Sequence, residues 1–292
     1  MVIQEKLFDL WLGWERSQAK LIRKQVAIDE GTVIYLEGGY GPTLVLLHGF
    51  GADKDSWNQL ASRLIDNFHL IVVDIPGFGE SFSPKNRFNI ESQVQRLIQF
   101  FIRKDLHNIN LIGNSYGGYL SAILAKQYPA MISKCVLISP LGVQSSPLTT
   151  TFIDVVNGKW PLLLPRNESE FIQLFDTCFF NKPMIPIFFL KQIFNRNLNK
   201  NNIHQSIFFN THIIVNGELH FSQSLEDTLT DINIPIHVMW GDNDAILAFQ
   251  GMTILAYLNN TNITFEGLKN VGHLPQLEIP KQLSHSIEDA VK

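Results

Sequence analysis

An α/β fold, with a mostly parallel central sheet flanked by helices, is the architecture this 292-residue sequence predicts. Three observations carry it. After residue 30, short runs rich in β-branched residues alternate with longer stretches of helical periodicity, and strand–helix–strand succession builds a parallel sheet. Several runs, "TLVLLH" and "LIVVDI" among them, are apolar at consecutive positions, as strands buried on both faces must be. Apolar residues make up 45% of the chain and charged residues 17%, which is ample for a large core and argues against disorder.

Residues 1–30 read as an N-terminal amphipathic segment. Wound as a helix over its first 24 residues, it sets Leu7, Trp11, Trp14 and Leu21 on one face, with Arg16, Lys20, Arg23 and Lys24 elsewhere. Such a helix either packs on its own protein, the simpler expectation, or lies on a membrane surface. It lacks the uninterrupted apolar run and small-residue cleavage site of a signal peptide, and charge breaks it too often to span a bilayer.

Strands are expected at 32–37, 43–48, 70–75, 109–113, 134–139, 236–240 and 262–266, and helices at 56–66, 90–104, 116–128, 249–259 and 279–290. The alternation breaks between Val143 and Asp227. That stretch is dense in phenylalanine, carries Pro161, Pro165, Pro183 and Pro186, and shows no strand pattern, so it reads as a helical insertion at 143–227. The core is then 31–142 together with 228–292. A small helical layer has little interior of its own, so some of its phenylalanines should face a neighbouring surface or cavity.

Composition narrows the chemistry. A net charge of -4 leaves no basic surplus for nucleic acid. "DIPGFGES" has the wrong glycine pattern for a nucleotide loop, and no acidic ribose partner follows it. There is no H-E-x-x-H and no paired-cysteine spacing, so no metal and no cofactor are expected. Cys135 and Cys178 are too few for a disulfide framework, which points to a reducing, cytoplasmic setting, with membrane contact confined to the periphery.

The stretch "LIGNSYGGYL" raises the sharper question. G-x-S-x-G arises by chance in about one chain in ten of this length, given ordinary glycine and serine frequencies. Here, however, "INLIG" reads as a buried strand and "YGGYLSAILAKQY" as a helix, which puts Ser115 on a strand-to-helix turn. Such a turn lifts the hydroxyl clear of the backbone and leaves the Tyr116 amide free to face an anion. A serine needs a base, and His273 in "NVGHLPQLEIP" stands in a loop after the last strand. The base needs an orienting carboxylate. "MWGDNDAIL" offers Asp242 and Asp244, and Asp244, further into the loop, has more room to reach a histidine. "HGFGADKDSW" supplies the Phe50 amide as a second oxyanion donor, with Gly49 for flexibility and His48 as a brace for the loop.

Taken together, "LLHGFGADKDSW", "VVDIPGFGES", "GNSYGG", "WGDND" and "GHLPQLE", in this order, resemble the α/β-hydrolase fold family over nearly the whole chain from residue 30. Within it the sequence is most similar to monoacylglycerol-lipase-like esterases and related bacterial lipases. The resemblance implies a serine hydrolase acting on monoacylglycerol-like or medium-chain acyl esters, with 143–227 as lid and acyl pocket. Tyr116 departs from the methionine many such relatives carry. The N-terminus departs from the full transmembrane anchor of some. Two other readings stay open: a carbon–carbon bond hydrolase using the same three residues, and a binding protein that turns over little.

Overall fold

The computed structural model describes residues 2–292. Helix α1 (Val2–Gln18) precedes strands β1 (Ile22–Ile28), β2 (Gly31–Gly38) and β3 (Thr43–Leu47). A 3-10 turn (Lys54–Trp57) leads into α2 (Asn58–Leu64), β4 (His69–Val73), α3 (Ile90–Arg103), β5 (Ile109–Asn114), α4 (Tyr116–Gln127) and β6 (Ile132–Ile138). The insertion folds as α5 (Thr150–Val156), α6 (Glu168–Thr177), α7 (Ile187–Leu198) and α8 (Asn201–Thr211), followed by β7 (His212–Val215) and β8 (Glu218–Phe221). Helix α9 (Leu225–Thr230) returns the chain to β9 (Ile236–Gly241), α10 (Gln250–Ala256), β10 (Ile263–Leu268), α11 (Pro275–Glu278) and α12 (Pro280–Val291).

Eight strands form one sheet in the order β1-β2-β4-β3-β5-β6-β9-β10. The β1–β2 and β2–β4 pairings are antiparallel and the rest parallel. Strand β3 shows why its sequence is apolar at every position. Leu44 and Leu46 pack with Trp57, Leu60 and Leu64 on one face, while Val45 and Leu47 pack with Val94, Leu97 and Tyr119 on the other. Alternate side chains point to opposite faces, so a strand covered on both sides has no polar position to spare.

Three sequence expectations need correction. The N-terminal helix stops at Gln18, and residues 22–28 are an edge strand of the sheet rather than part of an amphipathic segment. Lys20 adopts a left-handed conformation (φ 53°) and the Leu21 N–H bonds back to the Arg16 carbonyl, a helix stop that does not require glycine. The strand was masked by "IRKQ", whose residues are exposed as an edge strand tolerates. The second correction is the β7–β8 hairpin inside a stretch expected to be helical. Asn216 and Gly217 both have positive φ (53° and 79°) at its two-residue turn, and "NG" between apolar runs is a hairpin signal. Third, helix α9 runs across residue 227, where the insertion was expected to end.

Helix α1 docks by two routes. Arg16 grips Asp55 with two bonds of 2.6 Å. On the insertion side Trp11 stacks on Phe189 of α7, ring centroids 4.6 Å apart, and Arg196 pairs with Asp9. Phe8 and Leu12 are buried by this packing, whereas Leu7, Leu10 and Trp14 remain exposed.

Candidate active site

Parallel strands β3, β5, β9 and β10 all end at one edge of the sheet, and the loops that follow them gather the candidate residues there. Ser115 sits between β5 and α4 at φ 53°, ψ -114°, a conformation few non-glycine residues hold. The turn closes because its neighbours lack side chains. A Cβ on Gly113 would collide with the Gly117 carbonyl and the Ser121 hydroxyl, and one on Gly117 would collide with the Leu47 and His48 carbonyls. The glycines of "GNSYGG" are thus spent on letting α4 approach β5 and β3.

His273 and Asp244 meet across two loops. His273 Nδ1 lies 2.7 Å from Asp244 Oδ2, and both residues are buried. The other carboxylate oxygen, Oδ1, accepts the N–H groups of Ile246 (2.8 Å) and Leu247 (2.9 Å), which fixes the carboxylate plane. Asp242 is occupied differently: its Oδ1 accepts the Asn270 N–H at 2.7 Å and ties the β9 and β10 loops together. Several histidines touch a carboxylate, His69 with Glu37 at 2.9 Å and His107 with Asp105 at 2.9 Å among them. Among these carboxylate-paired histidines, His273 lines a cavity together with Ser115.

A residue the sequence reading passed over holds the two halves together. Asn114, fully buried beside Ser115, donates to the His273 carbonyl at 3.1 Å and to the Ile138 carbonyl at 3.2 Å, and accepts from Gln276 Nε2 at 3.2 Å. The signal was present in "GNSYG", where an asparagine closes an otherwise apolar strand.

The loop after β3 carries Phe50. Among the described residues, neither the Phe50 nor the Tyr116 N–H donates to a protein acceptor. Tyr116 is the first residue of α4, where no intrahelical acceptor exists. His48 is fully buried: Nε2 accepts the Ile75 N–H at 3.1 Å, so Nδ1 carries the proton it gives to the Gly49 carbonyl at 2.8 Å. Burial lowers its pKa to about 4, which keeps it a neutral brace for this loop. Tyr116 packs its ring against Phe50 and Phe78, and its buried hydroxyl sits close to Gln93 and Thr211.

Lys54 on the same loop is turned away from the cavity. It is 1% exposed and pairs with Asp74 at 3.0 Å, Asp55 at 3.1 Å and Glu80 at 2.7 Å. Burial opposes its charge, but these carboxylates outweigh burial and raise its pKa. Asp53, which does line the cavity, is pushed up to about 6, chiefly by burial and then by Asp55.

The cavity above Ser115 is walled mainly by apolar side chains of the insertion, including Phe152, Leu163, Phe171 and Phe175, and by Phe8, Trp11 and Leu12 of α1. Among the described residues that line it, none is lysine or arginine. The insertion also bonds directly to the loops that carry His273 and Phe50. The His273 N–H donates to the Cys178 carbonyl at 2.8 Å, and Asn197 of α7 donates to the Gly51 carbonyl at 2.8 Å. Glu278 joins the two layers by accepting the Asn181 N–H at 2.6 Å and the Gly272 N–H at 2.9 Å. Among the described residues no cluster of histidine, cysteine or carboxylate side chains could hold a metal ion.

Known proteins resemble this chain in sequence and fold. The family model for the alpha/beta hydrolase fold matches residues 42–280. The chain is 29% identical to monoacylglycerol lipase ABHD6 of Mus musculus over 261 residues, 86% of this chain and 76% of the relative. It is 28% identical to lipase 1 of Psychrobacter immobilis over 278 residues, 91% of this chain and 83% of that one. The crystal structure of a membrane phospholipase A, a bacterial virulence factor, superposes with a TM-score of 0.91 at 28% identity, covering 99% of this chain and 91% of that one. With the motifs in order and the family model spanning most of the chain, this protein belongs to the α/β-hydrolase fold family.

Proposed function

We propose that this protein hydrolyses medium-chain or monoacylglycerol-like carboxylic esters through an acyl-enzyme on Ser115. The coarse activity is that of a lipase- or esterase-type α/β hydrolase, the class its relatives' names carry. The observation that supports the finer reading is the buried 2.7 Å bond between Asp244 and His273, on a cavity that Ser115 also lines.

In this mechanism His273 takes the Ser115 proton as the hydroxyl oxygen attacks the ester carbonyl. Asp244 keeps the Nδ1–H tautomer, leaving Nε2 as the base, and offsets the imidazolium charge that develops. The Phe50 and Tyr116 N–H groups, unpaired among the described residues, receive the oxyanion; one such donor is commonly worth about 3 kcal/mol of barrier. The imidazolium then protonates the leaving alcohol. Water, deprotonated by His273, releases the acid. The apolar cavity holds the acyl chain at about 0.8 kcal/mol per buried methylene, which implies a broad chain-length optimum.

The carbon–carbon hydrolase reading loses its one cationic candidate, because Lys54 is sealed among three carboxylates and the lining holds no other cation. A carboxylate-bearing substrate would enter this cavity without a counter-charge. A fluorophosphonate ester tests the nucleophile. It should label the wild type stoichiometrically on the peptide that contains Ser115 and leave Ser115→Ala unlabelled; a label on another residue would reassign the nucleophile.

Contact with a lipid surface belongs to the same proposal. The exposed Leu7, Leu10 and Trp14 of α1, and Met184 and Ile187 of the insertion, offer apolar area on the two elements that Trp11 and Phe189 join. Among the described residues no helix is long and apolar enough to cross a membrane. In flotation with phosphatidylcholine vesicles, the triple variant Leu7→Glu, Leu10→Glu, Trp14→Glu should stay in the lower fraction while the wild type floats. Equal flotation of the two would remove α1 from the contact.

A further inference from the structure

One polar group in the cavity wall has no task in this mechanism. His212, at the junction of α8 and β7, is 6% exposed and borders the cavity alongside Tyr116, Phe152 and Phe208. Its ring meets Phe208 edge-on, centroids 4.7 Å apart, and also faces Phe152 and Phe221. Among the described residues its ring nitrogens have no hydrogen-bond partner, which sets it apart from His48, whose two nitrogens are both engaged. His204 also keeps a nitrogen without a partner, but that atom is sealed from solvent while its ring stacks on Phe78, and it does not line the cavity.

Three aromatic rings pack against His212, and a phenylalanine would satisfy them equally well. A histidine adds one donor and one acceptor to an otherwise apolar wall, and neither ring nitrogen is sealed away from the cavity as His204 Nε2 is sealed. The chain partner of His212 is polar too. Thr211 lines the same cavity, and its hydroxyl donates to the Ile207 carbonyl at 2.8 Å, so toward any further group, the nearby Tyr116 hydroxyl included, its oxygen acts as an acceptor.

We propose that His212 and Thr211 form a polar subsite that takes an uncharged hydroxyl group of the ester substrate. A hydroxyl both donates and accepts, matching what a neutral imidazole beside a threonine oxygen presents. Burial alone lowers the His212 pKa, to about 4, so the ring is neutral and no charged side chain acts on it. With no lysine or arginine among the cavity's described lining residues, an anionic group would be unmatched there. The inference rests on the ester-hydrolase reading above and adds a preference to it. The hydroxyl has two chemical sources, the alcohol part of the ester or the acyl chain.

The test uses the full chain and three esters of one chain length: 1-monododecanoylglycerol, methyl 12-hydroxydodecanoate and plain methyl dodecanoate. For His212→Phe, kcat/KM should fall about tenfold on one hydroxylated ester and change less than about twofold on methyl dodecanoate. Loss on the glycerol ester assigns the hydroxyl to the alcohol; loss on the hydroxyacyl ester assigns it to the acyl chain. His212→Gln, which keeps a donor and an acceptor, should recover part of the loss. Thr211→Val repeats the test without altering the ring packing, and the same selective fall is expected. If the hydroxylated esters track methyl dodecanoate in these variants, or all three fall together, His212 is a packing or water-holding residue and the proposal is wrong. If the wild type cleaves none of the three, the ester-hydrolase reading fails and takes the subsite with it.

Discussion

Asp242 and Asp244 stand two residues apart and hold different bonds, so they separate the chemistry from the scaffold. Asp244 faces His273 at 2.7 Å, while Asp242 holds the Asn270 N–H at 2.7 Å. Asp244→Asn should therefore lower kcat by at least roughly 10²-fold, because an amide at that position favours the wrong imidazole tautomer. Asp242→Asn should leave kcat within about fivefold, since it touches only a turn. Steady-state kinetics on one ester compares the two, and the reverse ranking would reassign the acid. At this scale much was legible. Gly113, Ser115 and Gly117 announce themselves because a strained turn tolerates so few residue types. Asn114 and His212 did not, since a buried asparagine or a lone histidine acquires meaning only from what stands opposite it in space.

At the scale of elements, the insertion is bonded to the loops that carry the candidate site residues. Cys178 accepts the His273 N–H, Asn197 holds Gly51 next to the Phe50 amide, and Glu278 spans Asn181 and Gly272. Glu278→Gln replaces one acceptor oxygen with an amide that cannot accept, so one of the two bonds by which it links the histidine loop to the insertion is lost. The expected result is a fall in kcat of about tenfold with KM changed less than about threefold, because the apolar cavity itself is untouched. A rise in KM alone would mean that the insertion only binds the acyl chain. Sequence periodicity located the core strands because burial on both faces leaves an unmistakable apolar run. It missed β1, whose exposed "IRKQ" obeys edge-strand rules, and it missed the hairpin at Asn216–Gly217, where two short strands carry too few residues to show alternation.

For the molecule as a whole, α1 changes the account most. The sequence suggested a helix either packed on its own protein or laid on a membrane. In the structure Phe8 and Leu12 pack inward and help wall the cavity, while Leu7, Leu10 and Trp14 face outward. One helix thus buries one face and leaves the other exposed, a division that composition alone could not make. Core, insertion and α1 together enclose one apolar cavity over Ser115. The central claim is that this cavity presents acyl esters to a serine nucleophile. Hydrolysis of p-nitrophenyl esters from acetyl to palmitoyl, by wild type and Ser115→Ala side by side, tests it most directly. The account predicts a broad maximum at medium or long chains that falls by at least roughly 10³-fold in the variant. Activity that survives in Ser115→Ala, or folded wild-type protein that cleaves none of the series, would contradict it.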